Sequence, residues 1–257
     1  MEASPAVAGL AAVAGKAFPT SFSTGVRTFS TAQAGLERQE WFGEDLTPDD
    51  TPILMAWQAP RALIVGRSNA RLPGFARAAE EVAAEGWPVL VRRSGGSACP
   101  VSPGTLQIAL VRASAGQGEI EAGYRILVSV IETLLSGVNV LCEAGERPSA
   151  FCPGRYDLGV GPRKFAGLSQ HWRSRGSAIV ISTAASVIVE DDVEELCHVV
   201  NFFYEKANGQ RRCSSAFVTD VKRARSGSPL PGGILTTILR TRLSDTTRKP
   251  QAFSGAG

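Results

Sequence analysis

Residues 151 to 176 read Phe151-CPGRYDLGVGPRKFAGLSQHWRSR-Gly176, and the fold is read outward from here. Cys152 is followed by Pro153 and Gly154, which keep it out of any long regular element. A cysteine on a loop is readily exposed, and a nucleophile needs exposure. Tyr156 to Val160 predicts a short strand, Gly161-Pro162 a turn, and Lys164 to Gln170 a returning strand. Such a hairpin folds Lys164 back toward Cys152, and an ammonium beside a thiol favours the thiolate. The residues leave a second reading open. Cysteine is among the most buried residue types, so Cys152 also reads as a packed thiol, and Lys164 as a solvated hairpin charge.

Upstream, Pro52 to Gln58, Ala62 to Gly66, Trp87 to Arg92 and Gly104 to Val111 are apolar runs of strand length. Thr28 to Phe42, Pro73 to Glu85 and Glu119 to Leu135 carry helical spacing, clearest in the last. Val138 to Cys142 is strand-like, and Glu143 to Ser149 is a polar loop that delivers the chain to Cys152. Downstream, Ser177 to Ser182 predicts a buried strand that Ala185 to Val189 continues. Asp191 to Ala207 predicts a helix with Cys197 in the core and His198 on the surface. Ser214 to Val221 carries no clear pattern, and Ile234 to Leu243 predicts a final helix. Short strands and several helices without strict βαβ alternation give an α+β class. With no linker between two cores, one domain is expected over residues 26–245. Residues 1–25, rich in Ala and Gly, are expected to be a flexible tail, and 246–257 a disordered one.

Between the third strand and the fourth lies Arg92-Arg93-Ser94-Gly95-Gly96-Ser97-Ala98. Adjacent glycines let backbone approach a ligand, and the arginines could bind phosphate or carboxylate; a tight turn with exposed charges is the alternative. No Walker lysine follows, and there is no GxGxxG. The net charge of +3 does not argue for nucleic acid and suits a neutral or acidic protein partner. Five cysteines without a CxxC pair, and two histidines, make a zinc site improbable and point to reduced thiols in the cytoplasm. No apolar run is long enough to span a membrane.

These segments resemble the lipoate-protein ligase, octanoyltransferase and biotin-ligase superfamily. FCPGRYDLGVGPRKFAGLSQ is most similar to the amidotransferases that move octanoyl from the glycine-cleavage H protein to lipoyl domains of 2-oxoacid dehydrogenases. ALIVGRSNARLP and VRRSGGSACPVSPGTLQIAL extend the likeness over about residues 30 to 205. The resemblance implies a biotin/lipoate ligase-like catalytic domain, a Cys152 nucleophile and a substrate-site Lys164. It implies that Arg93, Ser94, Gly95, Gly96 and Ala98 line an acyl pocket, and that Asp157, Gly167 and Gln170 belong to the substrate site. The acyl group would be carried as substrate, octanoyl or lipoyl, with no cofactor and no metal. The partners would be the H protein and lipoyl domains, with neither nucleic acid nor membrane involved. On this reading Lys164→Ala abolishes transfer and leaves the fold intact. The alternatives are an ATP-dependent lipoate ligase and a non-catalytic acyl-carrier-binding protein. The ligases' histidine near the end of the glycine loop is missing from Pro100 to Pro103, which counts against adenylation. His171 and Trp172 stand where the family carries basic residues.

Overall fold

The structure is a computed structural model that describes residues 23–115 and 120–248. Among the described residues ten strands form two sheets. In chain order they are β1 (Ser23–Thr28), β2 (Ile53–Gln58), β3 (Ala62–Gly66), β4 (Val89–Arg92), β5 (Cys99–Val101), β6 (Thr105–Ser114), β7 (Glu143–Ala144), β8 (Leu158–Val160), β9 (Arg163–Arg175) and β10 (Ala178–Ile188). The larger sheet has the order β1-β2-β6-β10-β9-β8-β7, and the smaller is β4-β3-β5. The helices are α1 (Ala32–Trp41), α2 (Phe75–Ala84), α3 (Ile120–Ser136), α4 (Val193–Lys206), α5 (Val221–Ala224) and α6 (Ile234–Arg248). The architecture is α+β in one domain, as the element pattern predicts. Among the described residues no helix is long and apolar enough to cross a membrane.

Strand alternation gives the large sheet two different faces. Leu54 and Ala56 of β2, with Leu106, Ile108 and Leu110 of β6, point to one face. There they pack with Leu127, Ile131 and Leu134 of α3 and Leu235 and Leu239 of α6. Met55 and Trp57 point to the other face, under Ala32 and Leu36 of α1. The small sheet packs Leu63 and Val65 against Ala78 and Val82 of α2 and Leu196, Val200 and Phe203 of α4. Asp192 caps α4, its carboxylate accepting from the Glu194 and Glu195 N–H groups, which would otherwise lack partners.

Four expectations are corrected. Val138 to Cys142 is not a strand: the Val138 and Val140 N–H groups both donate to the Leu135 carbonyl, and Asn139 has φ 62°. These residues terminate α3, and Val138 and Val140 fill the core from a turn while Leu141 stays exposed. Pairing begins instead in the segment expected to be loop, at Glu143–Ala144 against β8. Residues 23–25 of the expected N-terminal tail are strand, and residues 246–248 of the expected C-terminal tail are helix; the remainder of both tails lies outside the described residues. The returning strand of the hairpin runs on to Arg175, because β10 pairs with it along ten positions.

Candidate active site

The hairpin places Lys164 inside the protein. Its side chain is 2% exposed, and its ammonium donates to the Phe151 carbonyl at 3.0 Å and the Cys152 carbonyl at 2.6 Å. It pairs with Asp157 Oδ2 at 2.9 Å. The strand edge around it is sealed by Val218, whose segment bridges to Lys164, and by the Thr219 N–H on the Lys164 carbonyl. The solvated-charge reading of Lys164 is therefore excluded. Asp157 also accepts the Gly154 N–H at 3.0 Å, closing the Cys152 loop on itself. Burial pushes the Asp157 carboxyl up, against the pull of Lys164 and of that N–H. Tyr156 stacks on Tyr124 of α3, 4.6 Å between rings, and anchors the loop to the helix.

Cys152 sits at the head of this loop with φ 45°, a left-handed conformation that costs a non-glycine residue energy. The bonds from Lys164 to the carbonyls on either side of it hold the backbone there. Its half-buried sulfur accepts the Ser97 N–H at 3.1 Å and lies 3.5 Å from Arg92 Nη2. Burial works to raise the thiol's pKa, but the Arg92 and Lys164 charges and the Ser97 contact outweigh it, and the thiol lies below its ordinary value. Cys99 lines the same cleft with the opposite setting: burial and the neighbouring Cys152 push it up.

The cleft that opens from Cys152 crosses the large sheet along a register row. Gly167 on β9 faces Ser186 on β10, Ser186 faces Gln107 on β6, and Gln107 faces Trp57 on β2. A second row on the same face runs Ser169, Ala184, Ala109, Met55. At a strand spacing of ~4.8 Å, the row from Gly167 to Trp57 extends roughly 14 Å. Along these rows the side chains on β9 and β10 are small, and they become large at β2, where Trp57 and Leu36 close the far end. The free volume is about 50 Å³, room for a few water-sized groups.

The other expected site residues divide. Ser94 lines the cleft and bonds Ser169 Oγ. Gly96 has φ 103°, and a Cβ there would sit 2.5 Å from Arg92 Nη2 and 3.0 Å from the Cys152 sulfur. Gly167 lines the cleft under the ammonium, where a Cβ would come within 2.8 Å of Lys164 Nζ. Gly95 is exposed and offers its carbonyl to Arg92. Ala98 is buried, its N–H on the Tyr204 hydroxyl at 3.0 Å, and holds the loop from behind. Two residues lie elsewhere. Arg93 turns outward, paired with Glu40 at 3.3 Å and stacked on Trp41, while its neighbour Arg92 turns into the cleft. Gln170 falls on the opposite face of β9 from Gly167 and Ser169, where it bonds Thr183 and the Ile120 carbonyl of α3. Arg92 and the Ser97 N–H are the contacts that the motif reading missed. The sequence sets Arg92 and Arg93 side by side, with nothing to say which of them turns inward.

Residues 31–227 match the family described as the lipoyl protein ligase A/B catalytic domain. The chain belongs to this family. Among its relatives is the octanoyl-GcvH:protein N-octanoyltransferase of Bacillus velezensis, 32% identical over 59% of this chain and 52% of that protein. The lipoyl-GcvH:protein N-lipoyltransferase of Listeria monocytogenes is 30% identical over 58% and 52%. An octanoyl-GcvH:protein N-octanoyltransferase of Kyrpidia tusciae is 31% identical over 79% and 70%. The match thus spans about half the length of the Bacillus and Listeria relatives. Among solved structures, lipoate-protein ligase A bound with ATP superposes with a TM-score of 0.67 at 17% identity, over 91% of this chain and 90% of that one. The bipartite lipoate protein ligase of Thermoplasma acidophilum gives 0.63 at 18% identity, over 91% and 88%. At such identities these likenesses establish the ligase-type catalytic fold.

Proposed function

We propose that this member of the family is an acyltransferase. It moves an octanoyl or lipoyl group from the lysine of one carrier, the glycine-cleavage H protein, to the lysine of a lipoyl domain, through a thioester on Cys152. The observation that carries the reading is the Cys152 sulfur itself. It stands in a strained turn at the head of an apolar cleft, against one backbone N–H and within the field of two buried cations. The relatives' names supply the acyl group and the first carrier.

The thiolate attacks the amide carbonyl of the acylated lysine, and the carbonyl electrons move to oxygen. Collapse reforms the carbonyl and breaks the C–N bond. An amine is a poor leaving group unless protonated, and the Lys164 ammonium is the acid lining the cleft that can deliver that proton. The second half runs in reverse. Neutral Lys164 takes a proton from the incoming lysine, whose nitrogen attacks the thioester and releases the thiolate. No ATP is consumed, because one amide is exchanged for another. The row of small side chains takes the acyl chain, each buried methylene contributing about 0.8 kcal/mol. The free thiols accord with a cytoplasmic setting, where such groups stay reduced.

The test is transfer between two purified carriers. Octanoyl-H protein, a lipoyl domain and catalytic amounts of the chain should yield octanoyl-lipoyl domain in intact-mass spectra without nucleotide. Product that forms only with free octanoate and ATP identifies a ligase, and binding without product identifies a carrier-binding protein.

A further inference from the structure

We infer that Arg92 is a catalytic residue of this thioester chemistry: its guanidinium is the counter-charge that holds Cys152 as a thiolate and then receives the negative charge on the carbonyl oxygen. The inference rests on the transfer reading above for its second half, and on geometry alone for its first.

The geometry is a matter of which buried charges have partners. Lys164 has Asp157 at 2.9 Å, so that pair is neutral as a unit. Arg92 is 8% exposed, and its donors reach the carbonyls of Gly95 at 3.1 Å, Ser97 at 2.8 Å and Ile64 at 3.4 Å. Carbonyls satisfy hydrogen bonds without cancelling charge. Among the described residues no carboxylate contacts Arg92, and the acidic group it does touch is the Cys152 thiol, 3.5 Å from Nη2. A buried cation without an opposite charge is costly, so the ionised form of Cys152 is the one that completes this site. The contact exists because residue 96 is glycine. A Cβ there would crowd both groups, 2.5 Å from Nη2 and 3.0 Å from sulfur. Arg93 cannot replace Arg92, since it is engaged outside with Glu40 and Trp41.

When the thiolate attacks, its lone pair becomes the C–S bond and the charge appears on oxygen, two bonds from the sulfur. Arg92 Nη2 and the Ser97 N–H already converge on the sulfur, so both are placed to follow that charge. Guanidinium does not deprotonate in proteins, so Arg92 stabilises charge while Lys164 moves the proton. The two buried cations thus have separate roles.

The experiment is the pH dependence of iodoacetamide alkylation of the full chain, followed on the Cys152 peptide by mass spectrometry, for wild type, Arg92→Gln and Arg92→Lys. The expected result is an alkylation midpoint in Arg92→Gln raised by about 1–3 pH units, as when an opposite charge is removed from a neighbouring acid. Arg92→Lys keeps the charge and loses the fork, so its midpoint should stay nearer wild type than that of Arg92→Gln while octanoyl transfer falls at least tenfold. Circular dichroism melts report folding. If Arg92→Gln does not fold, Arg92→Met takes its place: a midpoint raised by about one unit or more supports the pairing, and the wild-type midpoint overturns it. A folded Arg92→Gln with the wild-type midpoint also overturns it. The two readings fail separately. A wild-type Cys152 that alkylates at low pH yet takes no acyl group from either carrier leaves the ion pair standing and removes the transferase. An acylated Cys152 whose midpoint ignores Arg92 does the reverse.

Discussion

Replacing Lys164 by Met should damage the fold as well as the reaction. The substitution nearly preserves volume but removes the ammonium from Asp157 Oδ2 and from the Phe151 and Cys152 carbonyls. Both side chains of the ion pair are at most 2% exposed, so water cannot substitute. Removing one partner of a buried pair costs about 3–5 kcal/mol. For a protein of this size each kcal/mol shifts the melting temperature by ~2–4 °C, so the variant should melt roughly 6–20 °C lower. The deficit should depend on pH with a definite sign. Without Lys164, burial acts on Asp157 against only the Gly154 N–H and the Arg147 charge, and holds its carboxyl further above the ordinary 3.8. A raised carboxyl penalises the fold only where the unfolded chain is ionised, so the deficit should shrink as pH falls from neutrality toward 3.8. Adding Asp157→Leu removes the orphaned carboxylate and should recover most of the melting temperature. Transfer should stay down by about 10²–10³ in both variants, since the proton donor is gone from both. Calorimetry with an octanoyl-transfer assay separates these effects. A Lys164→Met melt within 2 °C of wild type, or a double variant no more stable than the single, would refute the reasoning.

Three further outcomes follow from the same geometry. Gly167→Ala places a methyl 2.8 Å from Lys164 Nζ, so it should displace the ammonium and lower turnover at least tenfold while Cys152 still alkylates; unchanged turnover in a steady-state assay would show that the ammonium can move freely. Ala184→Leu fills the second register row, and denying burial to three methylenes at about 0.8 kcal/mol each should weaken octanoyl substrates roughly 50-fold while butyryl substrates are spared; equal loss for both lengths in KM measurements would place the chain elsewhere. Iodoacetamide at pH 7 should label Cys152 well before Cys99 or Cys142, since burial raises both of these, Cys142 to about 12 with Glu132 adding to the effect; peptide mapping that finds Cys99 labelled first would contradict that order.

Features of the site that depend on local chain geometry were legible in the sequence, and those that depend on tertiary partners were not. Pro153-Gly154 and Gly161-Pro162 put a loop and a turn at fixed places, so the meeting of Lys164 with the Cys152 loop could be read from the residues between them. The charge state of that meeting could not. Asp157 and Lys164 are seven residues apart, and nothing in their spacing says that Val218 and Thr219 will seal them from water. Hence the expectation that Lys164→Ala spares the fold is replaced by a large loss. Arg92 and Arg93 are adjacent, and the motif resemblance pointed to the wrong one for the cleft. The inward one is settled by three carbonyls drawn from β3 and the glycine loop. Gln170 failed by parity: it follows Gly167 by three positions, and an odd step along a strand reverses the face. Val138 to Cys142 reads as a strand because the run is apolar, but a helix terminus buries Val138 and Val140 equally well.

On the proposed mechanism, acyl transfer passes through Cys152. The most direct measurement is the mass of the chain after brief mixing with octanoyl-H protein, without ATP and without an acceptor. The expected result is a gain of one octanoyl group, mapped to the peptide containing Cys152, removed by hydroxylamine and discharged on adding a lipoyl domain. Cys152→Ser should carry no labile adduct, and Cys99, Cys142, Cys197 and Cys213 variants should label normally. An adduct that forms only with ATP, or a Cys152→Ser protein that transfers at the wild-type rate, would contradict the mechanism.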